Sequence, residues 1–284
     1  MLTASFDREM VRAMPAFSLP MYDWPEVHDA TDAWAHGMAR HLRAHDFAEA
    51  PLELLRHEDH AQAWQSSDLL LSQCCGYPLT HLYAGKLLPL LTPHYSVEGC
   101  SGPAYSSFVF VRGADNIRAL TELRGRIGAI NDRTSMSGML ALKIVFAPLT
   151  ENGRFFARTV ETGAHAGSLE AVQRGEADVC AVDAVCVALA RRHRPELLTG
   201  LAEIARSPLV PGLPYVTAGH RPPAELVRMR QAIAAAFADP RLQQAREALF
   251  LSGYSPLDRS DYAIIAALER NLERHGGLEL WEAA

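Results

Sequence analysis

The residues best suited to chemistry lie in one short turn, Thr134-Ser135-Met136-Ser137-Gly138. Three hydroxyls precede the apolar run GMLALK, so the turn opens a helix, where the first amides lack intrahelical partners and the macrodipole carries about half a positive charge. Such a helix start can hold an oxyanion. The competing role for Ser135 or Ser137 is a plain N-cap worth about 1 kcal/mol; the cluster of hydroxyls beside Gly138 favours a ligand. His165 stands in the Gly-bounded turn TGAHAG and can donate to an oxyanion or titrate near neutral pH, although a lone loop histidine is more often structural. Asp183 ends the run DVCAVD, where a carboxylate is partly buried and needs a donor, either a ligand group or the amides of the next helix.

These positions share an origin in the elements that carry them. Strands are expected at 16–21, 52–55, 68–73, 87–95, 105–112, 126–130, 157–161 and 178–182, with amphipathic helices between them. Beyond residue 218 only helices are expected, near 223–237, 241–250 and 260–274. Alternation of this kind implies an α/β fold built on a mostly parallel sheet. In open α/β sheets ligands sit beyond the carboxyl ends of strands. That rule selects Tyr22, the turn from Gln73 through Cys74 to Tyr77, the segment Thr134 to Ser137, His165 and Asp183. Tyr22 and Tyr77 offer a phenol and a flat apolar face to a cleft, or equally to a core; Tyr105 and Tyr215 read first as hinge packing.

Two apolar segments, SSFVFV and LPYVTA, bracket the middle of the chain. Two crossings imply two lobes, the first from residues 1–107 and 216–284 and the second from 108–215. The net charge is −6, with no basic run interleaved with aromatics, which argues against nucleic acid as a partner. The longest apolar stretch, GMLALKIVFAPL, falls short of the roughly 20 residues of a membrane span. Asp7, Arg8, Glu9 and Arg12 interrupt the N-terminus where an export signal needs apolar residues, which places the chain as written in the cytoplasm, or in the periplasm if it is a trimmed mature form. Five cysteines, two of them adjacent, do not read as a disulfide framework. The histidine pairs 41/45 and 57/60 lack the context of a metal site, and no cofactor motif is present.

The run YSSFVFVRGADNIRALTELRGRIGAINDRTSMSGMLALK resembles the phosphate and phosphonate ABC-transporter binding proteins, as does TGAHAGSLEAVQRGEADVCAVD. The resemblance implies a type 2 periplasmic-binding fold, two lobes joined by two crossing strands and closing on a small anion such as a phosphonate, phosphate or carboxylate. It aligns Ser135, Met136 and Ser137 with an anion-cradling turn, His165 with a histidine facing that anion, Asp183 with an acid that receives a ligand amine, and Tyr22 and Tyr77 with cleft aromatics. A link to an ABC transporter follows only if an export signal has been removed. The alternative is a cytosolic enzyme on the same fold, similar to menaquinone-pathway or thiamine-pyrimidine enzymes, with His165, Asp183 or Cys74 as acid or base.

Overall fold

The computed structural model describes residues 16–56, 60–274 and 277–280. The N-terminal segment read for an export signal, and His57, lie outside them. In chain order the first half contains β1 (Ala16–Phe17), α1 (His28–Ala44), α2 (His60–Gln65), β2 (Leu69–Gln73), α3 (Gly76–His81) and β3 (Leu87–Tyr95). The middle contains β4 (Cys100–Ser101), β5 (Ala104–Tyr105), β6 (Ser107–Arg112), β7 (Ile127–Ile130), a π-helical turn Met136–Leu140 running into α4 (Ala141–Phe146), β8 (Arg158–Glu161), α5 (His165–Arg174), β9 (Val179–Asp183) and α6 (Ala184–His193). The remainder is β10 (Leu201–Arg206), β11 (Val210–Pro211), β12 (Tyr215–Ala218), α7 (Pro223–Ala238), α8 (Gln243–Ala248), β13 (Leu251–Ser255) and α9 (Arg259–Arg274).

The strands form two five-stranded sheets, ordered β1-β2-β12-β3-β13 and β10-β6-β9-β7-β8. The chain leaves the first sheet after β3, and returns to it at β12 through β11. Both passages go through a small third sheet, β11-β5-β4, made only of crossing segments. SSFVFV and LPYVTA therefore sit inside the two sheets as β6 and β12, next to the passages. This is the type 2 periplasmic-binding architecture. The sheets are mixed rather than mostly parallel: among the described strands only β1/β2, β7/β8 and β7/β9 run parallel. The crossing strands cause this, because β6 and β12 enter their sheets from the opposite end and pair antiparallel with their neighbours.

Core formation follows the patterning. Trp34, Met38 and Leu42 recur at i, i+4 and i+8 on α1, and all three are buried against α7 and the first sheet. Trp34 Nε1 donates to Tyr215 Oη at 2.8 Å, satisfying both polar atoms inside that core. β6 is apolar at successive positions because helices cover both of its faces, so Phe108, Val109, Phe110 and Val111 are all buried. Residues 52–55 form no strand; Leu52 and Leu54 pack on the first core from a loop, and Leu55 N donates to Phe17 O at 2.8 Å. β10 and β13 form in stretches expected as connections, the second of them beyond residue 218 where no strand was expected.

One carboxylate ties the two halves together at the back of the molecule. Glu269 on α9 is only 8% exposed. It pairs with His81 Nε2 at 3.0 Å from α3 and with Lys143 Nζ at 3.4 Å from α4. Tyr77 Oη donates to it at 3.3 Å. Past α9, Glu279 N donates to Gly153 O at 2.9 Å, and Leu278 and Leu280 enter the core. Replacing Glu269 with Ala removes charge-assisted bonds at a nearly buried position, with an expected loss of about 2 kcal/mol. Urea melts of Glu269→Ala check this; a midpoint equal to wild type contradicts it.

Candidate functional site

Between the two sheets lies a cleft of about 280 Å³. Strand ends deliver its lining. β7 leads to Asn131, Asp132, Thr134, Ser135 and Ser137; β8 leads to Gly163, Ala164 and His165; β9 leads to Asp183 and Cys186. The first-sheet side contributes Met21, Tyr22, Trp64, Cys75 and Leu213. Three helices thus start at the cleft from the second sheet, with their positive ends towards it. None of the described lining residues is Lys or Arg.

Ser135 is an N-cap: its Oγ accepts from Gly138 N at 3.0 Å. Gly138 is required there, since a Cβ would stand 1.8 Å from Asn131 Oδ1. Thr134 is turned inward on its own loop, its amide and hydroxyl both bonded to Asp132 Oδ1 at 2.5 Å. Ser137 is different. Its Oγ lies 2.8 Å from His165 Nε2, linking the start of the π-helical turn to the first residue of α5. α5 begins after Ala164 with no side-chain cap, unlike α6 and the π-helical turn. Met136 faces the core, while its amide donates to Cys75 Sγ at 3.5 Å across the cleft.

Asp183 is fully buried and caps α6, Oδ1 accepting from Val185 N at 2.7 Å. Its Oδ2 accepts from Tyr22 Oη at 2.8 Å, a contact between the halves at the cleft. Tyr22 adopts φ 64°, a left-handed conformation that costs a non-glycine residue about 1–3 kcal/mol and clusters at functional sites. Burial pushes the Asp183 carboxyl up to about 6, opposed by the Tyr22 bond. Burial pushes His165 down to about 4, the Ala181 carbonyl opposing the shift without hydrogen-bond geometry. At neutral pH His165 is therefore an uncharged partner for Ser137.

The structure moves three expected side chains out of the cleft in addition to that of Met136. Gln73 is buried, with Nε2 donating to Tyr95 Oη at 3.0 Å and Leu213 O at 3.1 Å, behind the cleft wall. Cys74 points into the core and Cys75, one residue on, takes the cleft position. Tyr77 follows the turn of α3 to the far side, stacks on His81 at 4.0 Å and meets Glu269. Tyr105 is buried in the core close to the cleft. Its hydroxyl is buried with no hydrogen-bond partner, and burial raises its pKa well above the usual phenol range, with Cys75 and Asp183 adding to the rise and Ser137 opposing it. The ring itself stays in the core and is not among the lining residues. The Ser137–His165 pair resembles a nucleophile and base, but the acid that would orient His165 is turned to Tyr22 instead.

Residues 55–262 match the family of ABC-transporter phosphonate periplasmic substrate-binding proteins. The chain belongs to that family. Members bind small molecules and work with an ABC transporter. The family is periplasmic, so the cytoplasmic placement drawn from the N-terminus is not supported. Among the described residues no helix is long and apolar enough to cross a membrane. The fold is shared with the binding protein component of an ABC phosphonate transporter from Pseudomonas aeruginosa, at TM-score 0.75 and 17% identity over 92% of this chain and 87% of that one. It is also shared with PhnD1 from Prochlorococcus marinus in complex with methylphosphonate, at 0.73 and 13% over 92% and 98%. A Xanthomonas citri protein bound to chloride scores 0.70 at 18% identity over 92% and 98%. No curated protein matches the sequence.

The two buried ionisable groups give stability slopes of opposite sign. Asp183 holds its proton more tightly folded than unfolded, about 6 against 3.8, so its contribution is present below 3.8 and is lost as pH rises through 6. His165 is depressed from 6.5 to about 4, so its contribution is present above 6.5 and is lost as pH falls through 4. Relative to wild type, His165→Gln should gain about 1.4 kcal/mol of stability per unit as pH falls from 6.5 towards 4. Asp183→Asn should gain relative to wild type as pH rises from 4 to 6. Paired urea melts at pH 4.5 and 6 check both; a difference independent of pH contradicts the burial of either group.

Proposed function

We propose that this chain is the solute-capturing component of an ABC importer and that its cleft holds a small oxyanion of the phosphonate, phosphate or carboxylate type. The observation that carries the reading is the uncapped start of α5, where Ser137 Oγ meets His165 Nε2 at 2.8 Å. The first-turn amides of α5, the Ser137 and Tyr105 hydroxyls and a neutral His165 are donors without full charge. Together they suit an anion that leaves its counter-charge in solvent, because oriented dipoles can replace a formal cation in a closed site. The relative from Prochlorococcus holds methylphosphonate, and a cleft of about 280 Å³ is at the small end of ligand pockets, which favours a ligand of that size.

In this reading residues 1–107 with 216–284 form one lobe and 108–215 the other. They close about the crossing segments, with Tyr22, Cys75 and Tyr105 meeting Ser137, His165 and Asp183. Thr134 and Ser135 shape the turn rather than touch the ligand, and Met136 contributes its amide.

A thermal-shift panel of methylphosphonate, phosphate, sulfate and small carboxylates tests it. A ligand at 100 times its dissociation constant adds about 2.7 kcal/mol of stability. At least one oxyanion should raise the melting temperature of the wild type, and Ser137→Ala should lose most of that gain while melting near wild type without ligand. No shift with any oxyanion, or an undiminished shift in Ser137→Ala, contradicts the reading.

A further inference from the structure

Among the described residues Asp183 is the only fully buried carboxylate lining the cleft, and hence the natural receiver for any cationic group on a ligand. Its oxygens are already committed. Oδ1 accepts from Val185 N at 2.7 Å, and Oδ2 accepts from the Tyr22 phenol at 2.8 Å. An ammonium group would have to share Oδ2 with that phenol or displace it. Tyr22 is not free to swing away. Its ring packs edge-on against Tyr95, with centroids 5.3 Å apart, and its backbone is fixed in the left-handed region. Tyr95 Oη in turn accepts from Gln73 Nε2, which also donates to Leu213 O. A strand residue, a core phenol and a crossing-segment carbonyl thus hold the Tyr22 ring over Asp183. Displacing it leaves a buried hydroxyl without a partner, which is the costly kind of loss in a closed site. Asp132, the other acid of the cleft, has Oδ1 bonded to both the amide and the hydroxyl of Thr134. The surfaces beside Tyr22 are apolar or soft: Met21, Cys75, Cys186 and Leu213. They suit a hydrocarbon tail.

We propose that the Tyr22–Asp183 pair is a specificity filter: the cleft takes compact anions with a neutral alkyl tail and rejects otherwise matched anions that carry an amine. This rests on the anion reading above and adds to it the class of ligand. Tyr22 is the residue that decides it, since its phenol supplies the donor a ligand amine would otherwise supply.

Calorimetric titration with ethylphosphonate and 2-aminoethylphosphonate tests the filter, because the two differ at one end only. The wild type should bind ethylphosphonate at least about tenfold more tightly. Tyr22→Phe keeps the ring and its packing on Tyr95 but frees Oδ2; it should shift the ratio of the two affinities by about tenfold or more in favour of 2-aminoethylphosphonate, whatever it does to ethylphosphonate itself. Adding Asp183→Asn to Tyr22→Phe should abolish that shift. Equal affinities in the wild type, or a Tyr22→Phe variant with an unchanged ratio, overturn the filter while leaving the anion reading standing. If a folded wild type binds neither phosphonate and no other oxyanion, the anion reading falls and the filter falls with it.

Discussion

The cleft depends on one constraint: three helices of the second sheet begin at it, and none of its described lining residues is Lys or Arg. Each helix start leaves amides that need acceptors. The protein answers this differently at each one. Asp183 caps α6 and Ser135 caps the π-helical turn, so those two starts are satisfied internally. The start of α5 has no such cap, and beside it are the Ser137 hydroxyl, the uncharged His165 and the partnerless Tyr105 hydroxyl. In the proposed reading an acceptor from outside completes that set. Burial reinforces it, since lowering the His165 pKa to about 4 keeps the ring a neutral hydrogen-bonding group rather than a charge.

The same economy governs how the halves meet. Across the cleft mouth the contacts are Tyr22 Oη to Asp183 Oδ2 and Met136 N to Cys75 Sγ, both between groups that a ligand also touches in this account. Behind the cleft, Glu269 joins α3, α4 and α9 through His81, Lys143 and Tyr77. The crossing segments form their own small sheet between these two regions. Closure is thus set by a few polar contacts placed on either side of a hinge, an arrangement suited to two-lobed binding proteins that must both grip and release.

Much of this was legible in the sequence because strand ends and helix starts are local features. The alternation of elements showed the α/β class, the resemblance of two long motif runs implied the type 2 fold, and the carboxyl ends of β7, β8 and β9 were placed well enough to bring Ser137, His165 and Asp183 together. What escaped was decided by tertiary contact. β13, LSGYS, carries too little apolar character to announce a strand and exists because β3 offers it an edge. β10 alternates weakly and is fixed by pairing with β6. After β2 the chain turns into α3, where a single residue shifts the facing direction by about 100°. Cys75 therefore faces the cleft, Cys74 the core and Tyr77 the far side. Tyr105 read as hinge packing because its sequence neighbours are strand residues; only the fold places its hydroxyl near Ser137 and Asp183.

The most direct test of the central claim is a crystal structure of the protein grown with methylphosphonate. The account predicts the phosphonate oxygens within hydrogen-bond distance of the start of α5 and the Ser137 hydroxyl, with the methyl group towards Tyr22. A phosphonate bound on the surface, or a cleft occupied by an organic molecule that makes no contact with Ser137 or His165, would contradict it.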